Sequence, residues 1–96
     1  MQADYDSTAN AISITVADTQ RADHSDEVHP RAIVALLDER PVEVQLLYPK
    51  LGISEPLAAV ADRYGLDYEV LAAAAQSALA APDRVISLEV AARSAA

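Results

Sequence analysis

Ala32-Ile33-Val34-Ala35-Leu36-Leu37 is apolar at every position. Successive strand residues point to opposite faces, so the run predicts a central strand with greasy side chains on both of them. The link Asp38-Glu39-Arg40-Pro41 is too short for a crossover, so the next strand must return antiparallel. It does so in pattern: Val42, Val44, Leu46 and Tyr48 alternate with Glu43, Gln45 and Leu47. Working towards the N-terminus, Ile12, Ile14 and Val16 alternate with Ser13, Thr15 and Ala17. That is the period of a half-buried strand over 11–17. Turn-forming residues between Asp6 and Asn10 fold a short strand at 2–5 back onto it. The polar stretch 18–30 reads as a loop with a short edge strand at 26–28, which Pro30 stops.

Past Gly52 the period changes. Ser54 is placed to cap a helix whose first turn holds Glu55 and Pro56, and Leu57, Val60, Ala61 and Tyr64 form its apolar stripe. Gly65 suits a helix stop, and Asp67 suits the cap of a second helix over 68–81. The inner face of that helix is expected at Leu71, Ala75, Ala78 and Leu79. Pro82 ends it. Ile86, Leu88 and Val90 then share one face of a last strand at 84–90. The expected fold is α+β in one domain, 1–96: a β-meander over 1–49, a helical hairpin over 54–81, and the last strand. That makes a small antiparallel sheet of four to five strands, with the hairpin packed on one face and the C-terminal strand rejoining the sheet.

Composition narrows the function classes. The 96 residues contain no cysteine, which removes disulfides, thiolate metal sites and cysteine nucleophiles, and fits a cytoplasmic protein. No apolar stretch approaches the ~20 residues that span a bilayer, and the N-terminus lacks the basic and apolar regions of a signal peptide. The net charge of -8 repels nucleic acid and anionic membranes and leaves room for a basic partner. One lysine against six arginines, with abundant alanine, points to a GC-rich bacterial genome.

Tyr5-Asp6, followed by Asn10-Ala11-Ile12-Ser13-Ile14, opens a pattern. Glu27-Val28, the 32–38 run and Val42-Glu43-Val44-Gln45-Leu46-Leu47 continue it. In this order residues 3–49 resemble a family of small bacterial proteins, the domain-of-unknown-function family numbered 2283. Its members usually carry a glycine in the turn filled here by Asp38-Glu39-Arg40-Pro41. The resemblance implies a small antiparallel sheet and brings no activity, cofactor or site residue.

Three constellations carry candidate chemistry. Asp23-His24-Ser25-Asp26-Glu27-Val28-His29 holds imidazoles and carboxylates of the kind that bind zinc. In a regular strand, however, His24 and Asp26 share one face while Glu27 and His29 share the other, so the cluster reads as a solvated loop and no metal ligand is assigned. Ala61-x-x-x-Gly65 followed by a second helix resembles a helix-turn-helix, as in a small antitoxin-like regulator. Its second helix would turn Tyr68, Glu69, Ala72, Ala73 and Gln76 outward, and residues 55–81 offer only Arg63 for phosphates. No serine has elbow glycines, both histidines lie in one loop, and Asp4 and Asp6 flank a turn, so no catalytic residue and no cofactor is expected. What remains is surplus apolar surface. The 32–37 run and Leu47 put apolar groups on both faces of a sheet whose helices cover one. The expected function is a non-catalytic protein–protein interaction module, acting as a homodimer or as a subunit of a larger complex. The competing arrangement folds the N-terminal strand and the 18–30 loop over the second face.

Overall fold

A computed structural model of the chain describes residues 1–19 and 21–88. Its strands are β1 (Gln2–Asp6), β2 (Ala11–Thr15), β3 (His24–His29), β4 (Ala32–Leu37), β5 (Arg40–Leu47) and β6 (Val85–Ser87). Helices α1 (Ser54–Tyr64) and α2 (Tyr68–Ala80) lie between β5 and β6. The strands form one six-stranded sheet in the order β3-β4-β5-β2-β1-β6, and every neighbouring pair is antiparallel. The fold is thus α+β, as expected, with more strands than the four to five expected.

The short edge strand expected at 26–28 is longer in the structure: β3 runs from His24 to His29. Its polar composition hides its full length, yet an edge strand needs a neighbour on one side only and tolerates charge on its side chains. The meander also needs correction. β3, β4 and β5 do run as neighbours, but β2 pairs with β5, so the segment after β2 passes the β4–β5 hairpin before entering the far edge. That hairpin turns on Asp38 and Glu39, with φ of 52° and 66°, because a two-residue loop that matches strand twist requires positive φ at both positions.

Both helices start and stop for local reasons. Gly65 ends α1 in the left-handed conformation at φ 65°. The Asp67 carboxylate accepts from the Glu69 and Val70 amides and caps α2. Ser54 does not cap α1: Ile53 holds that position with no side-chain bond, and Ser54 is the first helical residue. The last strand is shorter than the expected 84–90, and its expected member Val90 lies outside the described residues. Asp83 ties β6 in place, accepting from the Ser7 amide at 2.9 Å and the Ser7 hydroxyl at 2.7 Å. These bonds hold its carboxyl below the usual range, the backbone bond most of all.

α1 packs over β3, β4 and β5, and α2 over β1 and β2, all on one face of the sheet. The register lays buried rows across that face. Val34, Val44, Ile14 and Ala3 form one row, and Ala32, Leu46, Ile12 and Tyr5 another. Leu57, Val60, Leu71, Ala75 and Ala78 close over them. The small alanines of α2 let its backbone come near the strands, a packing use of Ala72–Ala75 that also keeps helix propensity high. Among the described residues, no helix is long and apolar enough to cross a membrane.

Candidate functional site

Alternation sends every second residue of these strands to the face opposite the helices. Across it the register lays Glu27, Ile33, Gln45, Ser13, Asp4 and Val85 in one row. A parallel row holds Ser25, Ala35, Glu43, Thr15, Gln2 and Ser87. Most positions are polar, as a solvated antiparallel face should be. Val85 on the edge strand β6 is a lone apolar side chain, and β4 is the larger exception, presenting Ile33, Ala35 and Leu37, all half-buried and outside the core cluster. Leu47, half-buried and opposite the buried Ala11, extends this apolar track onto β5. β1 and the 24–29 part of the expected loop join the sheet as strands and do not fold over this face, which corrects those parts of the competing arrangement.

The track leads to a strained turn. Beyond Leu47, Tyr48 sits at φ 48° and ψ 57°, a left-handed conformation that costs a bulky residue on the order of 1 kcal/mol. The Arg31 guanidinium holds it there: its Nη1 donates to the Gly52 carbonyl at 2.9 Å and to that of Tyr48 at 3.0 Å. The Tyr48 amide donates to the Asn10 carbonyl at 2.9 Å. This turn exposes two large apolar side chains, Tyr48 at 52% and Leu51 at 75%. Tyr48 was expected to continue the strand on the face of Val42, Val44 and Leu46, but β5 ends at Leu47 and the left-handed turn carries Tyr48 outward; Leu51 and Arg31 were not singled out from the sequence. The available signal was Tyr48-Pro49-Lys50-Leu51-Gly52, which keeps apolar residues inside a proline–glycine turn.

Charge on the face is mostly negative. Glu27 stands opposite Ile33, and Glu43 opposite Ala35, so carboxylates flank the β4 strip on both sides. Asp4 and Asp6 lie further across, with Arg84 beside them, and Arg40 stands opposite Leu37 at the hairpin corner. Partial burial pushes the Glu43 carboxyl above its ordinary 4.5, and the Asp4 charge adds to the effect.

The histidines lie elsewhere. A bulge between Glu27 and His29 shifts the register, so His29 opposes Ala32 on the helix-covered side and shares a face with His24 and Asp26. The expected split of His29 from His24 is therefore wrong in facing. The pair still does not converge, because a strand of this length sets them ~15 Å apart. His29 Nδ1 accepts from the Arg31 amide at 3.0 Å, which leaves Nε2 facing Glu55 at 3.2 Å. His24 lies between Asp23 at 2.5 Å and Glu39 at 3.2 Å, and the hydrogen bond to Asp23 is the main cause that raises its proton affinity. Asp26 accepts from the Tyr64 hydroxyl at 2.5 Å and from Arg63 Nε at 2.8 Å. Among the described residues, no three metal-ligating side chains come together.

The helical hairpin also differs from the helix-turn-helix expectation. Ala72, expected outward, is 8% exposed because α2 lies along the sheet. The outer side of α2 offers Glu69, Ala73 and Gln76, which supply no cation for a phosphate. No family model matches this chain, and neither a curated protein nor a solved structure matches it.

Proposed function

We propose that this chain is a non-catalytic protein–protein interaction module, working as a homodimer or as a subunit of a complex through the helix-free face of its sheet. One observation carries the reading: β4 is apolar on both faces while both helices pack on one. An uncovered strip of Ile33, Ala35, Leu37 and Leu47, continued by exposed Tyr48 and Leu51, is surface that association would remove from water. Tyrosine at a rigid, exposed turn is the residue type that anchors interfaces. A cytoplasmic setting belongs to this reading and is supported by the cysteine-free composition.

The test compares the wild type with Leu47→Arg, which places a charge on the strip. Light scattering at micromolar concentration and affinity capture from a bacterial extract are run on both. The reading expects association, with itself or with a captured protein, that the substitution abolishes. A wild-type monomer that retains the same proteins as Leu47→Arg would refute it.

A further inference from the structure

Sheet faces that bind one another must match in charge as well as in shape. The β4 strip does not lie in a neutral surround. Glu27 borders it from β3 and Glu43 from β5, each directly across from a strip residue and hence roughly 5 Å away at the Cα level. A second copy stacked on this face would add its own Glu27 and Glu43 to the same interface, across a sheet spacing of about 10 Å. Each copy would also bring its net charge of -8. Like charges so placed oppose association. A segment with apolar side chains on one line and cations beside them meets no such opposition.

We infer that the helix-free face, from Leu37 to the Tyr48 turn, docks a basic partner protein. Apolar side chains of the partner lie on the β4 strip, and its lysine or arginine side chains pair with Glu27 and Glu43. This rests on the interaction reading above and chooses among its occupants: a cationic polypeptide, not a second copy. Arg40 stands across from Leu37 at the hairpin corner and Arg84 lies further across beside Asp4 and Asp6, so the charged neighbours of Ile33 and Ala35 are Glu27 and Glu43. The clamped Tyr48 turn adds an apolar anchor at one end of the strip whose conformation is already fixed, so little ordering cost remains for binding.

The probe is a labelled synthetic peptide of alternating lysine and valine, with its glutamate–valine counterpart as control, titrated against the full chain by fluorescence anisotropy. Two double variants separate a docking face from general attraction to an acidic protein. Glu27→Lys with Glu43→Lys reverses the acids beside the strip. Asp62→Lys with Glu69→Lys makes the same change of net charge on the exposed side of the helices. The proposal expects the lysine peptide to bind and the glutamate peptide not to. It expects the face variant to weaken binding by at least roughly tenfold, and the helix variant to weaken it much less. Circular dichroism on both variants confirms that each is folded before the comparison is read. Equal weakening by the two variants would overturn the proposal, since the attraction would then be to net charge alone. Self-association of the wild type that Leu47→Arg abolishes would overturn the basic partner while leaving the interaction module in place. Absence of any association that depends on the face would overturn both.

Discussion

The two faces of this sheet share six strands and a single register, yet their chemistry separates row by row. Under the helices, Val34, Val44, Ile14 and Ala3 run side by side, each at 0% or 1% exposure. One residue along each strand, on the opposite face, stand Ile33, Gln45, Ser13 and Asp4. Folding accounts for the first row in full, because burial beneath α1 and α2 is what removes those side chains from water. It accounts for the polar members of the second row as ordinary solvated surface. It does not account for Ile33, Ala35 and Leu37, which a polar residue at each position would replace with little loss to the core. The difference teaches where to look for function: at apolar positions that the fold itself does not use.

The largest effect comes from making the same substitution on each face. Ile14→Ala removes a fully buried side chain and is expected to cost about 2–5 kcal/mol, through lost transfer energy and the cavity left behind. Ile33→Ala, on the helix-free face, should cost under about 1 kcal/mol while weakening partner binding. Urea unfolding of the two variants measures the gap. Equal costs would mean that Ile33 is a core residue and that the two faces are not distinct.

Much of this contrast was legible in the chain. The 32–37 run announced a strand with no polar side, and alternation placed Ile12 and Ile14 of β2 and Val42, Val44 and Leu46 of β5 in the core, while Val16 and Tyr48, expected with them, lie beyond the strand ends. Asp67 and Gly65 marked helix ends because their chemistry acts locally. What stayed hidden was non-local. β3 extends beyond the expected 26–28 through its pairing with β4, and the bulge that turns His29 inward follows from that pairing. The β2–β5 pairing joins strands far apart in sequence, which no local pattern encodes. The Tyr48 turn depends on Arg31, a residue that no sequence pattern assigned to an element.

An intermediate effect sharpens the boundary between the faces. Asp26 ends the buried row at the β3 edge, beside Val34, where a carboxylate is tolerated because Tyr64 and Arg63 both donate to it. Tyr64→Phe removes one donor and leaves the other, so stability should fall by about 0.5–1 kcal/mol. The loss should concentrate at β3, which α1 would then hold less firmly, and hydrogen exchange of the 24–29 amides should speed up more than that of β5. A uniform change across the sheet would show that Asp26 does not pin this edge.

The smallest effect tests the uncovered face through its pH dependence. Glu43 has a folded-state proton affinity above its ordinary 4.5, chiefly because partial burial disfavours the ionised form and secondly because Asp4 adds a like charge. The folded state therefore binds this proton more tightly than the unfolded chain does. Stability from Glu43 is then greatest below the unfolded value and declines as pH rises from about 4.5 through the raised folded value, and the ionised side chain is a small liability at neutral pH. Glu43→Gln removes the ionisation, so its melting temperature should exceed the wild type's at pH 7, and the advantage should vanish below pH 4.5. A basic partner reverses the sign. Cations beside Glu43 favour the carboxylate, so wild type in complex should gain more from rising pH than free wild type does, and Glu43→Gln should bind more weakly at pH 7 despite melting higher. A variant that melts higher and binds equally well would leave Glu43 an ordinary surface carboxylate and would separate the acidic flank of the strip from its use.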